Sequence, residues 1–260
     1  MNNSKNKKQS IIKRLVKYFK QLKFRYLCSH SIVRIKTKSD VSIGKNTRIC
    51  NSRIFVSAGN KLTIGENVLI KNTNMNINGE VYIGKNTIIE KGYQPSKINI
   101  IVKGKMICSN NCRIRSAKIW IRFGGNLQIG SFTNINEETE IRVDESIAIG
   151  SYNQISYKCI IWDTNTHNIY SDEERRKLSE KYYPLLGYEY EKPKTKPVFI
   201  GNDCWIGREV AILKGVKINN SCVIGFRTTL SNCEIKNNNV VVPKNEIVIF
   251  PKSVRISHKI

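Results

Sequence analysis

The chain of 260 residues holds three histidines, few enough to be weighed one at a time. His30 stands in a basic N-terminal region and His258 lies close to the C-terminus; both read as surface residues. His167 closes the segment WDTNTH and follows Ile149, Ile155 and Ile161 at a place where the next aliphatic residue is due. Imidazole exchanges a proton near neutral pH, so His167 is the candidate general base toward a hydroxyl nucleophile. Asp163, four residues earlier, is the candidate partner for the other ring nitrogen, where it would fix the tautomer. An aspartate that stabilises the turn is the alternative, and Asn165 lies in the same segment. A three-histidine zinc site is not expected, because His30 and His258 fall outside the periodic part of the chain.

That periodic part must position these groups. From 200 to 230, Ile200, Ile206, Ile212, Ile218, Ile224 and Leu230 recur every sixth residue, a period that matches neither a helix nor a simple alternating strand. Cys204, Val210, Val216, Cys222 and Thr228, all small or β-branched, each follow an aliphatic by four residues. Glycine follows the aliphatic at Gly201, Gly207 and Gly225, where it is expected to supply unusual backbone angles at turns. Short strands joined by tight turns, with aliphatics stacked inside, describe a parallel β-helix of hexapeptides. The unit recurs as IGKNT from Ile43, IGENV from Ile64, IGKNT from Ile83, IGSFT from Ile129 and IGSYN from Ile149. The long interval between Ile83 and Ile129 fits two coils, one with a degenerate opening at Cys108. In CSNNC, Cys108 and Cys112 therefore read as core residues in register, not as metal ligands.

Composition is consistent with a solenoid: 40% of the residues are hydrophobic and the formal net charge is +24. No acidic residue precedes Asp40, so part of that charge is local. Residues 11–27 place Ile11, Ile12, Leu15, Val16, Phe19 and Leu22 on one helical face and Lys13, Arg14, Lys17 and Lys20 opposite. A basic amphipathic helix is expected, suited to an anionic membrane surface through residues 8–27 or to packing on the assembled protein. No apolar run long enough to span a bilayer and no export signal is recognised, so a cytoplasmic setting is expected, possible membrane attachment being peripheral on the inner face. The eight cysteines read as reduced, buried small residues.

The repeats resemble the left-handed β-helix of the hexapeptide-repeat acyltransferase superfamily. The pairing of WDTNTH with PVFIGNDCWIG is similar to its O-acetyltransferase branch, which modifies sugars and surface polysaccharides. The resemblance covers about residues 40–255 and alone implies the left hand. It further implies acetyl-CoA as co-substrate, no metal, and a homotrimer with active sites between neighbouring subunits. His167 would take the proton of a sugar hydroxyl as it attacks the thioester, then return it to the departing thiolate. Trp205, outward on its hexapeptide, would pair with the histidine and help to hold acetyl-CoA. Backbone N–H groups near Gly207 and Gly225 would face the oxyanion, and Lys214, Arg227 and Lys252 are candidate phosphate partners on charge. The inward Cys204 and Cys222 are poorly placed as nucleophiles, so direct transfer is expected. The tail VVVPKNEIVIFPKSVRI is similar to the family's closing segment but lacks its glycine.

Three segments are expected: an arm over 1–39, an all-β left-handed parallel β-helix over 40–230, and a closing tail over 231–260. Residues 168–196 leave the repeat as a long inserted loop, a lid or acceptor-recognition element with Tyr182, Tyr183, Tyr188 and Tyr190 available to stack on sugars. An N-acyltransferase acting on a nucleotide sugar or an antibiotic remains open. So does a noncatalytic solenoid that binds membrane or, less in keeping with the absence of a recognised motif, nucleic acid.

Overall fold

The structure, a computed structural model, describes residues 28–93, 96–187 and 189–244. The expected N-terminal helix, His258, Tyr188 and Lys252 lie outside these. The described chain climbs as a parallel β-solenoid. Cys28–Ser29 lies on a first face (A), Ile32–Ile35 on a second (B), Asp40–Ile43 on a third (C), and Arg48–Cys50 returns to face A. This rotation continues until face A holds ten strands and faces B and C nine each, every coil pairing in parallel with the next. Strands of the solenoid thus begin at Cys28 and end at Val241, beyond the limits of 40 and 230 expected from the repeats.

The period of six has a simple geometric origin. Ile200, Ile206, Ile212 and Ile218 sit on faces C, A, B and C in turn, and all four are fully buried. Residues three repeats apart stack: Ile200 lies over Ile218 and Ile206 over Ile224. Each such aliphatic contributes about 1.5–3 kcal/mol through burial. Cys108 stands in register between Ile83 and Ile129, completing the coil between them, and both it and Cys112 are buried core residues.

The repeat glycines act differently from expectation. Positive φ values belong instead to the residue two places later: Asn46, Asn67, Asn86 and Asn111, all between 57° and 59°. Asparagine tolerates this region, and here each side-chain amide donates to the next asparagine up the corner at 3.2, 3.1 and 3.0 Å. The glycines are needed because turn stacks on turn. A Cβ on Gly150 would lie 2.6 Å from the Gly201 carbonyl oxygen, and one on Gly44 would lie 2.4 Å from the Gly65 carbonyl carbon.

The long insertion leaves after Ile160–Trp162 on face B and returns at Val198–Ile200 on face C, so it replaces one turn at the B–C corner. The ladder is undisturbed, with Ile149 still paired to Ile200. Its helix, Asp172–Tyr182, buries none of its residues. Local interactions hold it: the Ser171 hydroxyl accepts from the Glu174 amide, acidic residues fill the first turn, and Arg175–Asp172 and Lys177–Glu173 pair along the surface.

Gly150→Ala should lower stability by about 1–3 kcal/mol, because the added methyl meets backbone on the neighbouring coil. Gly59, at φ +75° with open space around its Cβ position, should accept asparagine with little change. Thermal unfolding of the two variants checks this; equal melting temperatures would mean that the coils separate to admit the methyl.

Candidate active site

The neck of the insertion is sealed by backbone. Thr164 and Thr195 form an antiparallel bridge, the Asn165 amide donates to the Lys194 carbonyl at 3.0 Å, and the Lys196 amide donates to the Asp163 carbonyl at 2.9 Å. The Thr195 hydroxyl donates to the Glu145 carboxylate. Asp163 is fully buried, and its two oxygens accept from the amides of Asp144 and Glu145, both at 2.8 Å. The expected Asp163–His167 pair is therefore replaced by a turn-holding role: both carboxylate oxygens are bound to the coil below.

The partner of His167 comes from the returning limb. Nδ1 of His167 lies 2.9 Å from Oε1 of Glu189, whose side chain is 7% exposed while that of His167 is 56% exposed. An ionised carboxylate can only accept, so Nδ1 is the protonated nitrogen of the neutral ring and Nε2 carries the lone pair. Oε2 of the same carboxylate accepts from Asn168 Nδ2 at 3.0 Å and from the Tyr170 hydroxyl at 3.4 Å. Glu189 thus fixes both the ring and the segment that follows it.

Two coils below, Arg122 reaches the same corner. Its Nε and Nη2 bind the two oxygens of the fully buried Asp144 at 2.8 and 2.6 Å, and Nη2 also donates to the carbonyl of Thr166 at 3.3 Å. On the outer side of face B, Arg142 lies between Trp120 and Trp162, at 5.0 and 4.7 Å from their rings. Those tryptophans are occupied by protein cations.

Of the remaining candidates among the described residues of the solenoid, only Lys214 shares this corner. Trp205 projects outward on face A and is 59% exposed. Gly207 and Gly225 follow face A strands, but their own amides donate to the carbonyls of Ile224 and Val241, both at 2.7 Å, so neither is free for an oxyanion. Arg227, at φ +57°, donates through Nε to Glu209 at 2.7 Å over the ring of Phe226. Arg208 binds the other oxygen of Glu209, and the hydrogen bond from Arg227 is the leading reason that this carboxyl is held below its ordinary range. Lys214 is at the B–C corner with His167, where its carbonyl accepts from Asn232. Cys204 and Cys222 are buried, and burial pushes the Cys204 thiol up, away from the thiolate. In the insertion, Tyr182 stacks on Tyr190 at 3.8 Å, so these two serve each other, whereas Tyr183 is exposed. His30 occupies an exposed turn beside Ser29.

Residues 197–232 match the family model described as bacterial transferase hexapeptide, six repeats. Over 148 residues the chain is 25% identical to a probable acetyltransferase of Mycobacterium tuberculosis. That match takes in 56% of this chain and spans 42% of the length of its relative. By these two matches the chain is similar to the hexapeptide-repeat transferases. Solved structures similar to this hexapeptide-repeat protein include the polysialic acid O-acetyltransferase OatWY, at 24% identity and a TM-score of 0.44, covering 84% of this chain and 90% of that one. The polySia-specific acetyltransferase NeuO matches at 17% identity and a TM-score of 0.43, covering 84% and 92%.

Burial pushes the Asp163 carboxyl up from the ordinary carboxylate value, against the opposing pull of the Asp144 and Glu145 amides. A raised folded value means that the native state binds this proton more tightly than the unfolded state. Its stabilising contribution is complete below the unfolded value, about 4, and declines as pH rises through the folded one. Asp163→Asn does not titrate and loses one amide acceptor, at a cost of about 1–3 kcal/mol. Its deficit against wild type should be largest near pH 4 and shrink toward neutrality in urea unfolding. A deficit that grows with pH would show that the anion is the favoured native form.

Proposed function

We propose that this hexapeptide-repeat protein transfers the acetyl group of acetyl-CoA to a hydroxyl of a sugar in a surface glycan or its precursor. The observation that carries the reading is the His167–Glu189 pair, which leaves the Nε2 lone pair on an exposed ring. Nε2 takes the proton of the acceptor hydroxyl as its oxygen forms the new bond to the acetyl carbonyl carbon. The imidazolium so formed is stabilised by Glu189 through Nδ1–H, as in triad chemistry. As the carbon–sulfur bond breaks, Nε2–H returns the proton to the departing thiolate. No protein–acetyl bond is required, in keeping with the burial of Cys204 and Cys222.

His167 and Trp205 lie on different parts of the prism, the B–C corner and face A, and the ladder prevents them from approaching within one copy. A complete site therefore requires His167 of one subunit and Trp205 of another, as in a homotrimer. Trp205 supplies a flat surface for the donor, and the two arginines around Glu209 leave an excess of one positive charge for its phosphates. Exposed Lys192, Lys194 and Lys196 on the returning limb lie near His167 for an acceptor with acidic groups. The basic arm, whose sequence has an amphipathic helical pattern, would hold the enzyme near lipid-linked precursors at the inner membrane face.

Release of CoA, followed by chromatography because thiol dyes would react with cysteines, should depend on a glycan acceptor. His167→Ala should lower kcat roughly 10²- to 10⁴-fold, and Glu189→Gln by less. Unchanged turnover in His167→Ala would move the base elsewhere. Subunits carrying His167→Ala and others carrying Trp205→Ala, assembled together in equal amounts, should regain about a quarter of the wild-type sites, since each site draws one residue from each of two copies. No recovery would place both residues in one subunit's site.

A further inference from the structure

We propose that Arg122 is a positioning residue for His167, an inference that rests on the reading of His167 as the base. The two are far apart in sequence, but Arg122 directly follows a face B strand, Lys118–Ile121, at the corner from which the His167 segment departs two coils later. The residue is 8% exposed, and its guanidinium lies 5.0 Å from the Trp120 ring and 5.1 Å from that of Phe123. The fork to Asp144 fixes its plane, leaving Nη2 directed at the carbonyl of Thr166.

Thr166 is the weak point of the segment. It is β-branched yet stands at φ +67°, a region that such residues avoid. Two contacts hold it: its amide donates to the Thr164 hydroxyl at 3.0 Å, and its carbonyl accepts from Arg122. The peptide plane between Thr166 and His167 sets the direction in which the histidine leaves the backbone. Glu189 fixes the far end of that side chain; Arg122 fixes its origin. A relaxed Thr166 would swing Nδ1 away from Glu189 and release the tautomer. The buried charges are mutually arranged for this task, because Asp144 holds Arg122 while offering its amide to Asp163, which anchors the start of the same segment.

Arg122→Lys tests the idea while retaining a cation opposite Asp144. Lysine is a point donor and cannot fork one carboxylate while also reaching Thr166. The full-length variant should keep its fold by circular dichroism and its KM for acetyl-CoA, while kcat falls on the order of 10- to 100-fold through misplacement of the base. A second readout needs no turnover. In imidazole ¹⁵N spectra, assigned by loss of signal in His167→Gln, wild-type His167 should show the Nδ1–H tautomer, and Arg122→Lys a mixture of both. Adding Thr166→Gly, which adopts positive φ without strain, should restore much of the rate and the single tautomer; if Arg122→Lys proves unstable, Thr166→Gly with Arg122→Met supplies the same comparison. An unchanged tautomer in the Arg122 variants, or a loss of rate that Thr166→Gly does not repair, would overturn the proposal. If wild type releases no CoA, the acetyltransferase reading fails, and the tautomer comparison still decides the role of Arg122.

Discussion

Every coil of this protein is held by the one below and the one above through parallel backbone hydrogen bonds, and that constraint governs the rest. Strands in such a ladder sit about 4.8 Å apart, so equivalent residues form straight columns. The inward column at the strand ends is mostly aliphatic, since a polar group there would have no partner, whereas the small inward column also admits Thr47, Thr133 and Asn153, each bonded to a carbonyl of the next coil. A column where turn packs closely on turn favours a residue without a Cβ, which is why Gly44, Gly65, Gly130 and Gly150 recur, with Ser109 and Asn219 as departures. A column in the left-handed region favours asparagine, whose amide can then bond to the asparagine above.

The same regularity makes corner columns useful for placing charge. Arg122, Asp144 and Asp163 each follow directly after a face B strand in three successive coils. The ladder sets their separation before any of them interacts, so a forked ion pair and a carboxylate bound by two amides form with little conformational cost left to offset. Burial of such groups is tolerable because nearly all their oxygens are satisfied. Above them the regularity stops, and the insertion begins. The candidate base thus stands at the boundary between a rigid column and a surface loop, held by Arg122 through the backbone and by Glu189 through the ring.

The solenoid was legible in the sequence because its signal is repeated in every coil: the spacing of Ile200 to Leu230, and the placing of Cys108 in a missing opening, follow from counting. The departure of the chain from the solenoid near His167 was legible because His167 interrupts that count. The partner of His167 was not, because Glu189 lies in a segment without periodicity, and the nearer Asp163 offered a carboxylate at a reasonable distance along the chain. Only the fold shows that both Asp163 oxygens are already bound by amides. Aligning WIRFGG, IRVDE and IIWDT coil by coil would have put Arg122 opposite Asp144 and Asp163 one place short of them, opposite Val143, a signal present in the sequence but visible only once register is known. The role of the glycines was misjudged for a related reason: a residue that permits unusual angles and one that permits close approach are the same letter, and only the backbone φ separates them.

The rigidity that aligns these columns also limits what one copy can do. A side chain on face A cannot migrate to the B–C corner, because doing so would break the ladder for the sake of a single contact. The exposure of Trp205, Phe226 and Val240 on or beside face A would be unfavourable for an isolated solenoid in water, whereas polar residues at the same outward positions would carry no penalty. In the assembly proposed above, the apolar strip of one copy would meet the B–C corner of the next, head to tail. Such a contact closes into a ring when the rotation between copies divides a full turn. In that proposed assembly the separation of His167 from Trp205 would be bridged between copies, since a rigid solenoid can bring two distant columns together only by placing them on different molecules.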